Sequence, residues 1–245
     1  MYFAGSEPKG FFEALQTEGV KNVLVSAFSM NYKKGLEKHN EIFDKIFLDS
    51  GGYSARTRGV IVKVDDYAKY INENDIKIAF NLDTMSVEET MQNQKHLEKH
   101  TSSYIVPIYH HSDYVSKKNR RLLDSFIERY NYISIGGVAG MRLGKGAEVL
   151  YDYVFNKTKD KTKVHGLGIT SEKILETYPF YSVDSTSWLA FCRYGNSCSI
   201  KDPRLTKFYN KAVHYSERLA MEIQHYLKME KQITRLWDKR GVIFA

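Results

Sequence analysis

The chain has 245 residues, 42% of them hydrophobic and 27% charged, with a formal net charge of +7. An aromatic share of 13% excludes a disordered chain, and the balance fits one globular unit with a sizeable core. The most apolar stretches, such as residues 22–28, fall far short of the ~20 residues of a spanning helix, so no membrane role is expected.

Short apolar runs recur in chain order: Tyr2 to Ala4, Val23 to Phe28, Ile46 to Asp49, Ile78 to Asp83, Tyr104 to Tyr109, Tyr132 to Ile135, Val164 to Gly168 and Tyr181 to Asp184. Near-continuous apolar runs read as parallel strands buried on both faces. They begin roughly twenty to thirty residues apart, which leaves room for a crossover helix each time. The spacing predicts helices over Val64 to Asn74, over Ser86 to His100, where Ser86 and Glu89 form a capping-box pattern, and over Ser171 to Tyr178. Eight strands alternating with helices predict a (β/α)8 TIM barrel over residues 1–200, with an open doubly wound sheet as the runner-up. A basic helical segment, residues 201–245, is expected to follow and to pack on the barrel. In it Leu219, Ile223, Tyr226, Ile233 and Trp237 form an apolar stripe.

That last segment carries most of the charge. Residues 201–240 hold ten Lys/Arg against five Asp/Glu, a surplus of five. A basic block favours a polyanion such as nucleic acid, with a solvated helix face as the alternative. Lys207, Lys211, Arg218, Lys228 and Arg235 lie off the apolar stripe, and Lys117, Lys118, Arg120 and Arg121 form a second basic cluster. Cys192 and Cys198 are too few for a disulfide framework or a four-thiolate zinc site, so a reducing, cytoplasmic setting is expected. The first residues lack the basic start and apolar run of a secretory signal.

Chemistry on such barrels sits at the carboxyl ends of the strands. Those ends carry Asp49-Ser50-Gly51-Gly52, Asp83, His110-His111, Gly136-Gly137-Val138 and Asp184. Three aspartates on one rim suit chemistry at a glycosidic carbon, where one carboxylate attacks and another handles protons. The glycine pairs leave room for something flat to approach the backbone, whose N–H groups can bind a carbonyl or an anion. No metal is expected. The first strand lacks the His-x-His of metal-dependent hydrolase barrels, and His165 is placed early on its strand, away from the rim, as a core histidine.

The ordered set Asp49-Ser50-Gly51-Gly52-Tyr53, Ile135-Gly136-Gly137-Val138-Ala139, His165-Gly166-Leu167-Gly168-Ile169 and Ser182-Val183-Asp184-Ser185-Thr186-Ser187 resembles the tRNA-guanine transglycosylase superfamily. That family is a (β/α)8 barrel that exchanges guanine in a nucleic acid for a 7-deazaguanine, and the resemblance covers roughly residues 1–195. It implies that Asp184 is the nucleophile at C1′, that Asp49 serves proton transfer and that Asp83 reads the amino-pyrimidine edge of the base. Ser50, Gly51, Gly136, Gly137 and Val138 would be further base contacts. His110 stands where the family commonly has a glutamine. Val138-Ala139-Gly140-Met141 lacks the acid that meets an aminomethyl group, which favours the nitrile base preQ0. The zinc subdomain of the tRNA enzymes is missing. The chain is thus similar to the compact, DNA-modifying branch (DpdA type) of phages and bacterial modification clusters. Expected partners are DNA, tRNA less so, and a free 7-deazaguanine, with no cofactor, in a bacterial or phage-infected cytoplasm. A metal-dependent hydrolase barrel and a non-catalytic nucleic-acid-binding relative remain as alternatives.

Overall fold

The computed structural model describes residues 1–138, 146–159, 161–195, 197, 199–200 and 202–244. Ala139, Gly140, Met141 and Cys198 lie outside the described residues, as do the side chains of Cys192 and Lys211.

All of the predicted strands are present. β1 (Tyr2–Ala4), β2 (Asn22–Ser26), β3 (Lys45–Asp49), β4 (Ile78–Phe80) and β5 (Tyr104–Val106) are followed by β6 (Ile108–His110), β7 (Tyr132–Gly136), β8 (Lys163–Gly166) and β9 (Ser182–Ser185). Every pairing is parallel, and the order is β5-β4-β3-β2-β1-β9-β8-β7-β6. The run Tyr104 to Tyr109, read from sequence as one strand, is divided at Pro107. Proline has no N–H for a ladder. Accordingly β5 bonds to β4, β6 bonds to β7, and the Pro107 carbonyl accepts from Ser134 N at 2.9 Å. The two pieces are consecutive in the chain, so the sheet curls into a nearly closed barrel with its seam at Pro107.

Each strand faces two cores, which is why its sequence is apolar on both faces. Tyr2, Ala4, Leu24, Phe47, Phe80, Val106, Ile108 and Tyr132 fill the barrel interior. Their neighbours, such as Phe3, Val23, Val25, Leu48, Ala79 and Ile133, pack outward against the helices. The connections are α1 (Lys9–Thr17), α2 (Glu37–Ile42), α3 (Gly52–Thr57), α4 (Val64–Glu73), α5 (Val87–His100), α6 (His111–Val115), α7 (Leu122–Arg129), α8 (Ala147–Thr158) and α9 (Glu172–Thr177). Ser86 caps α5, its side chain accepting from Glu89 N at 3.3 Å. Ser171 occupies the N-cap of α9 but makes no side-chain cap bond.

After β9 come α10 (Ala190–Tyr194), α11 (Pro203–Ala212) and α12 (Tyr215–Lys239). The apolar stripe faces the barrel wall as expected: Leu219, Ile223, Tyr226 and Trp237 are buried, and Ile233 packs against the same core. The far half of α12 lies at the amino-terminal end of the barrel. Glu230 pairs there with the Met1 ammonium, and Trp237 Nε1 donates to Leu175 O at 2.8 Å. Ile223→Ala should therefore destabilise the whole barrel, not just a tail, by about 2–5 kcal/mol. One cooperative denaturation transition at lower denaturant is the expected readout.

No helix among the described residues is long and apolar enough to cross a membrane.

Candidate active site

The three aspartates lie where the strands open onto the carboxyl rim. Asp49 is the last residue of β3, Asp83 follows β4 by three residues, and Asp184 sits within β9 beside Tyr2 of β1. They are close enough to sense one another. Burial raises the Asp49 carboxyl from its ordinary 3.8 to about 7, the charges of Asp83 and Asp184 add to the rise, and the Gly51 N–H, 2.8 Å from Oδ2, opposes it. A carboxyl with that affinity carries or gives up a proton at neutral pH, as a general acid–base group must.

Asp184 is held differently. His165 Nε2 lies 3.1 Å from its Oδ1, and Gly168 N donates to the same oxygen at 3.2 Å. The placement of His165 away from the rim is thus corrected. β8 is only four residues long, so its third residue already comes within reach of Asp184 near the carboxyl end. The ring is fully buried, as expected of a core histidine, but it touches the central acid.

Asp83 is also engaged. His110 Nε2 is 3.0 Å from Asp83 Oδ2, while Asp113 Oδ2 accepts from the His110 backbone N–H at 2.9 Å. His110 therefore braces the Asp83 carboxylate, and both side chains keep an edge open to solvent.

The glycine pairs serve packing more than an open surface. A Cβ on Gly136 would come within 2.9 Å of both His110 and Ile108. At Gly51, with φ +73°, it would lie 2.4 Å from Phe28 Cβ. The Gly51 and Gly52 N–H groups are spent on Asp49 and on Ser50 Oγ. Ser50 and Val138, expected as base contacts, are buried in this structure. Of these residues Gly137, with φ +70°, keeps its backbone exposed on the rim.

A fourth acid went unnoticed in the sequence. Glu7 follows β1 by three residues and accepts from Ser26 N at 2.8 Å. Burial raises its carboxyl, and the Arg193 guanidinium opposes the rise. Its charge is also felt at Asp49. Arg193 in turn donates to Thr186 Oγ1 at 3.2 Å, just beyond Asp184. The strand-end rule applied to β1, extended one residue past Ser6, finds Glu7.

The basic residues divide. Lys117, Lys118 and Arg121 are exposed on the connection between α6 and α7, on the rim side of β6. Arg120 is tied down: its Nε donates to Tyr114 O at 2.8 Å and its guanidinium lies over the Tyr114 ring. In the C-terminal segment Lys207 is exposed, and Arg218 stacks over Phe191 at 5.3 Å. Lys228 and Arg235 are exposed but belong to the far half of α12, at the opposite end of the barrel from the acids.

Among the described residues no group of His, Cys, Asp and Glu is arranged to hold a metal ion. The site therefore offers a barrel-top cluster of carboxylates, one with its proton affinity raised by burial and one braced by a buried histidine. No family model matches the chain, and no curated protein matches it.

Proposed function

We propose that the protein is a transglycosylase that exchanges guanine in DNA for a 7-deazaguanine, with preQ0 as the expected incoming base. The observation that carries this reading is the cluster of Asp49, Asp83 and Asp184 on one rim, with Asp49 raised to about 7 by burial and its two like-charged neighbours. In the reaction, Asp184 Oδ2 attacks C1′ of the deoxyribose and the C1′–N9 bond breaks, its electron pair leaving with guanine. The Asp49 carboxyl gives that guanine a proton. The incoming base then loses its N9 proton to Asp49 and attacks C1′, expelling Asp184. Two inversions keep the β configuration, as in retaining glycosidases. Asp83, braced by His110, accepts from the base's N–H groups.

A target guanine must leave the duplex to reach a barrel rim. Tyr53, 70% exposed after β3, and Tyr194, 74% exposed after β9, are well placed to stack on bases beside the vacated position. Lys117, Lys118 and Arg121 after β6 and Arg193 after β9 supply cations for phosphate on the same side, and Lys207 is a further exposed cation.

The direct test is release of labelled guanine from DNA, and in parallel from tRNA, with preQ0 present. Release from DNA supports the reading. Preferential release from tRNA transfers the activity to that polymer, and no release from either defeats it. DNA affinity should also fall steeply with salt. Replacing Lys117, Lys118 and Arg121 by alanine should flatten the log–log slope by about 0.9 for each phosphate no longer neutralised. A slope unchanged in that variant would remove this cluster from the interface.

A further inference from the structure

The barrel interior holds a polar chain inside an otherwise apolar core. His165 is enclosed by rings, with Phe80, Phe47, Tyr2 and Tyr132 centred 4.8, 5.8, 6.3 and 6.4 Å from it. β8 and β9 pair with His165 opposite Ser182, so the imidazole spans the two inward positions of β9. Nδ1 is 2.5 Å from Ser182 Oγ, and Nε2 is 3.1 Å from Asp184 Oδ1. Ser182 Oγ is itself 2.6 Å from the Tyr132 hydroxyl.

One tautomer of His165 satisfies the whole chain. A carboxylate oxygen only accepts, so the nitrogen facing Asp184 must carry the hydrogen. The other nitrogen then accepts a hydroxyl hydrogen, either from Ser182 O–H at 2.5 Å with Ser182 accepting from Tyr132 O–H, or from Tyr132 O–H at 3.3 Å with Tyr132 accepting from Ser182 O–H. The opposite tautomer would set a lone pair against the Asp184 carboxylate. Burial disfavours the imidazolium, against the pull of Asp184, so the ring is neutral and has a single N–H to place.

We infer that His165, as the Nε2–H tautomer oriented by Ser182 and Tyr132, is a positioning residue that fixes Asp184 through Oδ1. Both hydrogen bonds from the described residues to this carboxylate, from His165 and from Gly168, end on Oδ1, so Oδ2 is the oxygen presented to substrate. A nucleophile locked about its terminal torsion reacts more often from a productive geometry, which acts on kcat and not on ground-state binding. Buried neighbours that set a ring's tautomer and rotation are the usual means of such locking.

The kinetic arm rests on the base-exchange reading; the spectroscopic arm does not. His165→Gln keeps an amide N–H near the Nε2 position, whereas His165→Asn is too short to reach Asp184. Both remove the ring, so both share its loss of packing, and equal melting temperatures would show this. With labelled DNA, His165→Asn should lower kcat about 100-fold with KM for preQ0 unchanged, and His165→Gln should recover most of the loss. Equal activities in the two variants, or a change confined to KM, would overturn the inference. Independently, 15N-histidine NMR should show His165, assigned by its absence in His165→Asn, as neutral with Nε2 protonated. Asp184→Ala should move that proton resonance upfield. A protonated Nδ1, or a resonance indifferent to Asp184→Ala, overturns the inference even if the protein exchanges no base. Absence of exchange in the wild type, with the Nε2–H signal in place, would instead defeat the base-exchange reading alone.

Discussion

Asp184→Asn is expected to lower guanine exchange by at least about 1,000-fold, equivalent to roughly 4 kcal/mol of lost transition-state stabilisation. The fold should survive. Asparagine is nearly isosteric, and its amide oxygen can still accept from His165 Nε2 and Gly168 N, which both meet Asp184 on one oxygen. What is lost is the second oxygen, replaced by an amide nitrogen with no useful lone pair for C1′. Wild-type protein incubated with DNA but without an incoming base should accumulate a protein–DNA adduct that persists on a denaturing gel. Asp184→Asn should form none, while Asp49→Asn should form it slowly, because its carboxyl only moves a proton. Exchange within tenfold of wild type, or an adduct that persists in Asp184→Asn, would place the nucleophile elsewhere, with Asp49 the first alternative.

The barrel was legible because parallel strands buried on both faces leave a strong mark, an unbroken apolar run, and every run here lies in the sheet, one of them as two strands. The break at Pro107 was visible as a residue but not as an event, since a single proline can sit at a strand edge without dividing it. The rim aspartates were legible for the same reason as the strands: a charge directly after an apolar run has few other places to be. Partnerships across the barrel were not. The contact between His165 and Asp184 depends on β8 ending at Gly166 and on its register with β9, and neither is written in local sequence. His110 bracing Asp83 is likewise a meeting of one strand's last residue with the loop that follows another. Glycine pairs gave an ambiguous signal because a missing side chain looks the same whether a ligand or the protein's own His110 or Phe28 fills the space. A charge count could not say which end of the barrel a lysine occupies; the pairing of Glu230 with the Met1 ammonium does, and it sends Lys228 and Arg235 away from the acids.

The rate of adduct formation should fall about tenfold per unit as pH rises above about 7, and Asp49→Asn should be slower but flat across the same range. In the proposed first step Asp49 holds a proton for the departing guanine, and burial with the charges of Asp83 and Asp184 keeps that proton in place up to about pH 7. The same shift has a consequence for stability. Between about pH 4 and pH 7 the unfolded chain has released this proton while the folded protein retains it, so stability falls as pH rises through that window and stays low above it. Asp49→Asn lacks the fall, and should gain stability over wild type at pH 8 by on the order of a few kcal/mol at most, with little gain at pH 4. A substitution that slows chemistry yet stabilises the fold only at high pH separates a charged site held under strain from an ordinary structural acid. The causes can be divided further. Burial is the largest, so Asp83→Asn, which removes only one like charge, should move the kinetic break part of the way down from 7 and leave it well above the ordinary carboxyl range. A break that does not move at all would mean that Asp83 and Asp49 do not share a site.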